Sequence, residues 1–242
     1  MLKIKNASAV VNTAEVLKEI SLEINPGEIH AIMGPKASGK SMLAQLIQGG
    51  DHIKQTEGSI TFNRKNIVKL SPDKRSKLGI FTCFQYPSEV VGLTNQDAMK
   101  MLLEDVRQIK FDSDLETCYR NLVKELELGS SYHKEFLNME DRPPADWRKG
   151  EIIQMLMINP SLVILDEVDQ EQDDHSLDLL AAAILSFMKD KEKSCILITN
   201  NKTFLDLIQP THVHVMVDGK IKLQGNTELY QRIIEDGHTQ FS

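Results

Sequence analysis

The stretch Gly34-Pro35-Lys36-Ala37-Ser38-Gly39-Lys40-Ser41 decides how this chain is read. It satisfies the pattern G-x-x-x-x-G-K-S/T, which a chain of this length matches by chance only about 1% of the time. In such a loop the backbone N–H groups point inward at a helix N-terminus and cradle α- and β-phosphates. Lys40 would reach the β/γ-phosphates, and the Ser41 hydroxyl would ligate Mg²⁺. The context agrees. Ile29 to Met33 (IHAIM) is the apolar run of a strand buried on both faces, and Met42 to Gln48 reads as a helix. The candidate nucleotide-binding residues are Gly34, Pro35, Lys36, Ala37, Ser38, Gly39, Lys40, Ser41 and Met42.

A phosphate loop needs a second strand that presents an acid to the metal. Leu162-Val163-Ile164-Leu165-Asp166-Glu167 supplies four apolar residues and then two carboxylates. Asp166 would hold Mg²⁺, often through water. Glu167, just beyond it, could polarise an attacking water.

The rest of the chain places these two strands in an α/β framework. Leu2 to Val11 and Val16 to Ile24 alternate as strands, and Asn25-Pro26-Gly27 turns the chain. Gly58 to Val68 reads as a hairpin. From Asn95 to about Lys134, apolar residues including Met99, Leu102, Leu103, Val106, Ile109, Leu115, Tyr119, Leu122 and Leu126 recur at helical spacing. This predicts a helical insertion bounded by Gly92 and Pro143-Pro144. It serves either as an amphipathic layer on the core or as a partner-docking surface. Alternation then resumes: a helix from about Asp146 to Ile158, the Leu162 strand, a helix from Ser176 to Lys189, and a strand Cys195 to Ile198. His212 to Val217 and Lys220 to Leu223 flank Asp218-Gly219, a strong hairpin signal.

Composition excludes several classes. The 242 residues are 41% hydrophobic and 26% charged, which suits one soluble globular domain with or without a sub-domain. No apolar run approaches the ~18 residues of a membrane span, and the first residues alternate like a strand rather than a signal-peptide core. A net charge of −7 argues against a broad nucleic-acid footprint. Cys83, Cys118 and Cys195 are far apart, with no C-x-x-C pair. They read as reduced thiols of the cytoplasm or an equivalent reducing organelle compartment. His212 and His214 stand at i and i+2, as a metal pair could, but no third ligand lies nearby in sequence, which favours a sheet-surface role. Trp147 is read as a packing residue, with stacking on an adenine or a partner as the alternative. Leu2 to Thr13 contains no aromatic residue to stack on a base, so base recognition is expected to rest on apolar contacts.

With the loop and the acidic strand in place, the chain resembles the ATP-binding-cassette (ABC) ATPases. Within them it resembles the SufC-like ATPases of the Suf iron–sulfur cluster assembly machinery. The resemblance runs from Leu2 to about Gly237. It is carried by His30 to Pro35, by Phe84-Gln85-Tyr86-Pro87-Ser88-Glu89 with Gly92-Leu93-Thr94, and by Val213 to Gly219. It implies one ABC nucleotide-binding domain over residues 1–242, with a mostly parallel sheet core, an antiparallel β layer and a helical sub-domain at about 92–150. It further implies ATP and Mg²⁺ as ligands, Gln85 as the sensor of Mg²⁺ and γ-phosphate, and an ATP-dependent homo- or heterodimer. Partners would be SufB/SufD-like scaffold proteins rather than transmembrane domains.

Several positions depart from the family pattern. The signature segment, SGGEK or similar, aligns with Pro143-Pro144-Ala145-Asp146-Trp147, where the two prolines offer neither N–H nor hydroxyl. The SGLD loop reads Gln170-Glu171-Gln172-Asp173, and the switch histidine aligns with Asn200. Asn200 can donate to a γ-phosphate oxygen but cannot carry a charge. Ala37 replaces a glycine and Lys36 an asparagine. Glu167, Gln85 and Asn200 are therefore the candidate catalytic residues, and Ser41, Gln85 and Asp166 the candidate metal ligands. The expected function is an ATPase that moves scaffold partners. The alternative is a non-hydrolysing nucleotide binder, or one degenerate half of a heterodimeric ATPase.

Overall fold

The computed structural model describes residues 1–83, 90–137 and 143–236. Twelve strands and eight α-helices alternate along them. The N-terminal part holds β1 (Leu2–Val11), β2 (Ala14–Ile24), β3 (Ile29–Met33), α1 (Lys40–Gln48), β4 (Ile53–Phe62), β5 (Lys65–Asn66), α2 (Pro72–Lys77) and β6 (Ile80–Cys83). The middle holds β7 (Val90–Thr94), α3 (Asn95–Leu102), α4 (Ser113–Glu125) and β8 (Phe136–Leu137). Then follow α5 (Pro144–Ile158), β9 (Leu162–Asp166), α6 (Asp174–Phe187), β10 (Ser194–Ile198), α7 (Lys202–Ile208), β11 (His212–Val217), β12 (Lys220–Gly225) and α8 (Thr227–Asp236). Sequence periodicity had not singled out α2, α7 and α8, which are short or lie near the end of the chain. Helix α1 begins at Lys40, two residues earlier than expected.

The central sheet has the order β12-β11-β3-β10-β9-β6, parallel except for the β11–β12 hairpin. A second, antiparallel sheet has the order β2-β1-β4-β5. The five residues of β3 are all buried, because each face of the central sheet meets its own core. Ala31 and Met33 join the helical side, with Leu180 of α6 and Phe204 of α7. Ile32 joins the other side, where Leu43 and Ile47 of α1 pack with Leu2, Ile4 and Phe62 of the antiparallel sheet. Burial on both faces is why this strand reads as an apolar run without alternation.

Pairing register then sets the site. Ile198 of β10 lies opposite both Ile32 of β3 and Asp166 of β9. The residues that follow these strands therefore emerge side by side at the carboxyl edge of the sheet, where α/β folds place their ligands.

The helical middle forms, but not as one face. Helix α3 runs into a π turn (Leu103–Arg107), and Gln108 in the left-handed region ends it at φ 55°. Asp112 then starts α4 by accepting from the N–H groups of Asp114 and Leu115. Met99, Leu103 and Tyr119 are buried as expected, whereas Ile109 falls beyond the turn and is 42% exposed. The buried Asn95 amide ties the block together by donating to the Tyr132 and Glu135 carbonyls at 3.0 Å.

Arg75 of α2 secures the far end of the phosphate-loop helix. Its buried guanidinium donates to the carbonyls of Leu46 and Ile47, the last turn of α1, at 2.7 and 2.8 Å, and to those of Leu70 and Val68. Replacing it orphans several buried acceptors at once. Arg75→Met is expected to lose about 2–4 kcal/mol, a Tm lower by roughly 5–15 °C for a chain of this size. Thermal unfolding followed by circular dichroism measures it, and an unchanged Tm would show that water replaces the guanidinium without loss.

Candidate functional site

The phosphate loop is shaped by three left-handed positions. Gly34 has φ 143°, Ala37 φ 64° and Gly39 φ 100°. The glycines adopt such angles without penalty, while Ala37, which stands in a glycine's place, carries strain at φ 64°. The loop is braced from outside by the Asp218-Gly219 turn of the β11–β12 hairpin. Gly219 N–H donates to Ser38 O at 3.0 Å, and Gly219 O accepts from Lys18 N–H at 2.8 Å. The hairpin was legible in sequence, but its role as a buttress was not, because that role depends on β11 lying beside β3.

Among the described residues, the predicted Lys40, Ser41, Asp166, Glu167 and Asn200 lie together at this edge. Gly34 through Met42 form the loop and the start of α1. Lys40 is 5% exposed, and its Nζ donates to the Gly34 and Pro35 carbonyls at 2.8 and 2.9 Å. Burial pushes its ammonium below the usual lysine range, while Glu167 and Asp166 oppose that shift. Ser41 Oγ donates to Asp166 Oδ1 at 3.2 Å. Burial raises the Asp166 carboxyl to about 6, Glu167 adds to the rise, and the Ser41 bond and Lys40 work against it. Glu167 follows with φ 54°, its N–H donating to Ile198 O at 2.9 Å and its carboxylate accepting from the Gln170 amide.

Asn200 sits at the same edge and is tied to Gly34 at both ends. Its Oδ1 accepts from Gly34 N–H at 3.0 Å, and its Nδ2 donates to Gly34 O at 2.9 Å. Asn200 and Lys40 therefore share one acceptor, the Gly34 carbonyl. Behind them, Thr199 Oγ1 donates to Asp169 Oδ2 at 2.8 Å, and burial raises the Asp169 carboxyl above its ordinary range. Sequence reading missed this pair. Asp169, an acid two residues past Glu167 and just before the loop that departs from the family pattern, was the one available signal.

Gln85 lies outside the described residues. The prolines at 143 and 144 fall at the cap and first position of α5 with no side-chain cap, so the fold accepts them where a missing N–H matters least. Trp147 is half-buried in that helix, and Glu171 is exposed.

Together the loop, Glu167, Gln170, Asn200 and the Asp218-Gly219 turn line a cavity of about 1000 Å³, closed on one side by Glu15, Val16 and Lys18 of β2 and its flank. That volume reaches the upper end of small-molecule sites. The residues fit a magnesium-bound nucleoside triphosphate. A buried ammonium rests on loop carbonyls it can exchange for phosphate oxygens. The buried Ser38 Oγ has no hydrogen-bond partner among the described residues. A serine hydroxyl and a buried carboxylate, at 3.2 Å, form the oxygen-donor pair that Mg²⁺ takes. Val16 is the apolar side chain that β2 contributes to the cavity lining.

Fold and site define a phosphate-loop nucleotide-binding domain. A family model described as ABC transporter matches residues 17–170, and the chain belongs to that family. It is 37% identical to the "Probable ATP-dependent transporter ycf16" of Cyanophora paradoxa, over 98% of this chain and 93% of that protein. It is 33% identical to the "Probable ATP-dependent transporter SufC" of Escherichia coli (strain K12), over 98% and 97%. Among solved structures, a dimeric ATP-binding cassette in a post-hydrolysis state, bound to ADP and Pi, superposes with a TM-score of 0.80 at 20% identity, over 93% of this chain and 98% of that one. No helix among the described residues is long and apolar enough to cross a membrane.

Proposed function

We propose that the protein is the ATP-binding subunit of a SufC-like iron–sulfur cluster assembly complex, in which Mg-ATP binding and hydrolysis move SufB/SufD-like scaffold partners. The observation that carries the nucleotide chemistry is the convergence of Lys40, Ser41 and Glu167 on one cavity beside the phosphate loop, with buried Asp166 bonded to Ser41 behind it. The assembly role rests on whole-length similarity to proteins named SufC and ycf16.

In this reading the loop N–H groups and Lys40 hold the phosphates, and Ser41 and Asp166 hold Mg²⁺, with Gln85 as a further ligand. Bound Mg²⁺ would supply the positive charge that offsets the β- and γ-phosphate oxygens. Glu167 accepts a proton from the attacking water. Asn200 sets the Gly34 peptide, and with it the acceptor shared with Lys40. The domain spans residues 1–242, with the helical block at about 92–150 as its sub-domain. It works in the cytoplasm or an equivalent reducing compartment, in keeping with its sparse cysteines. ATP-dependent dimerisation follows the relatives' pattern, with a homodimer or heterodimer both open to this chain.

The test is Mg-ATP-dependent phosphate release by the purified chain, with Glu167→Gln as the blank. Removing the general base is expected to lower release by about 10²–10⁴-fold. Release equal to the blank would count against independent hydrolysis and turn the search to a partner that carries an intact signature.

A further inference from the structure

We propose that the amino edge of the central sheet, opposite the phosphate loop, holds a transition-metal site in which Glu28, His30 and His212 bind one divalent ion of the zinc class. Parallel pairing sets His212 of β11 directly beside His30 of β3. The two imidazoles stack with centroids 4.3 Å apart and planes 18° from parallel. One ligand atom from each ring and one from the Glu28 carboxylate all lie within 4.8 Å of one another. An ion bound at about 2.0–2.2 Å sets tetrahedral donors roughly 3.3–3.6 Å apart. Closing the site therefore needs about an ångström of approach and a turn of the His212 ring out of the stack, because an imidazole lone pair lies in its ring plane, and half-buried His212 can supply both.

The surroundings orient all three donors. Glu28 accepts from the Asn25 N–H at 2.7 Å and from its amide at 3.1 Å, so the Asn25-Pro26-Gly27 turn fixes the carboxylate. Burial alone would raise that carboxyl, but these bonds and His30 bring it to about 2. His30 points Nε2 at Glu28 Oε2, 2.9 Å away, and engages buried His214 Nε2 through Nδ1, also at 2.9 Å. His212 Nδ1 lies 3.0 Å from the Thr211 hydroxyl. With that hydroxyl's proton given to Ile29 O at 2.9 Å, its oxygen accepts from His212 Nδ1–H and leaves Nε2 with a bare lone pair. His212 thus has one nitrogen held by an outer partner, and His30 has Nδ1 held by His214 while its Nε2 would exchange the Glu28 contact for the ion, the arrangement that outer-shell groups impose on metal-bound histidines.

Metal binding at His30 Nε2 requires the proton on Nδ1, donated to His214 Nε2, with His214 carrying its own proton on Nδ1. His214 Nδ1 is buried without a partner among the described residues, and it stays so in either tautomer. The shift therefore loses no protein hydrogen bond beyond the one Glu28 exchanges for the ion. Two imidazole nitrogens and one carboxylate suit Zn²⁺ or Co²⁺ and not Mg²⁺. Water takes the fourth position. The expectation of a sheet-surface role fails for His214, which is 3% exposed, and not for half-exposed His212. The partners sequence could not supply, His30 of β3 and Glu28 just before it, arrive from about 180 residues away.

The test is Co²⁺ titration of the metal-stripped full-length chain without nucleotide, followed by Zn²⁺ displacement. The expected result is one Co²⁺ per chain with the visible bands of a four- or five-coordinate ion. Affinity should fall by at least about 10–100-fold in both His212→Ala and Glu28→Gln. Zn²⁺ should raise the Tm of the parent and not of the variants. His212 is half-exposed and glutamine keeps one of the two acceptors that Asn25 uses, so both variants should fold, as circular dichroism can check. Should one fail to fold, the other decides. Absence of stoichiometric binding, or binding that neither substitution weakens, overturns the proposal.

Discussion

Lys40→Ala is expected to abolish Mg-nucleotide binding at micromolar concentrations while the chain still folds. Lys40 is the buried cation that faces Asp166 and Glu167. Its two present bonds, to the Gly34 and Pro35 carbonyls, are neutral contacts that phosphate oxygens would replace with charge-assisted ones. Truncating one partner of a desolvated, hydrogen-bonded charge pair loses about 2–5 kcal/mol, a fall in affinity of roughly 30-fold to several thousandfold. The loss is worse than the missing contact alone, because two carboxylates then face the triphosphate without the buried ammonium between them. The check is a fluorescent-nucleotide titration beside the ATP-induced rise in Tm, which depends on ligand concentration over Kd. A variant that keeps the parent's affinity and thermal shift would remove the phosphate loop from the nucleotide site altogether.

Gly34→Ala should be the most damaging single-atom addition at the site. A Cβ at Gly34 would stand 2.1 Å from the Met216 carbonyl oxygen and 3.0 Å from Ser38 Oγ, at φ +143°. Met216 O cannot retreat. Strand β11 is paired to β3 on one side and β12 on the other, so moving it breaks a ladder. Overpacking and backbone strain each contribute about 1–3 kcal/mol. Together they remove roughly 3–5 kcal/mol from a total that is rarely above ~15. The expected Tm is lower by roughly 6–20 °C, with ATP binding reduced as well, because Asn200 and Lys40 both take their position from the Gly34 peptide. Melting curves with and without Mg-ATP measure both effects. Coincident curves for parent and variant would mean the loop has a second conformation with room for a methyl group.

What the sequence determined by itself is local chemistry whose signal is short. The loop from Gly34 to Ser41, the acidic end of β9, the turn at Asp218-Gly219 and the buried runs of β3, β9 and β10 were all readable. In each, a few adjacent residues dictate backbone angles or burial: glycines at positive φ, an apolar strand with no polar alternation, a carboxylate at a strand tip. These features were enough for the α/β class and for most of the candidate site. Positions set by the end of a periodic pattern were less legible. Ile109 carries helical spacing but lies past the π turn, since periodicity does not record where a helix loses its hydrogen bonds.

Only the tertiary structure decided which distant groups share a partner. Asn200 meets Gly34 because β10 and β3 pair in a register that brings their ends level. Arg75 closes α1 because α2 folds back across its last turn. The His212 ring meets His30 and Glu28 because β11 is the parallel neighbour of β3. Sequence spacing carries no trace of these encounters. They follow from strand order, which is set by burying two apolar faces at once and not by any residue taken alone.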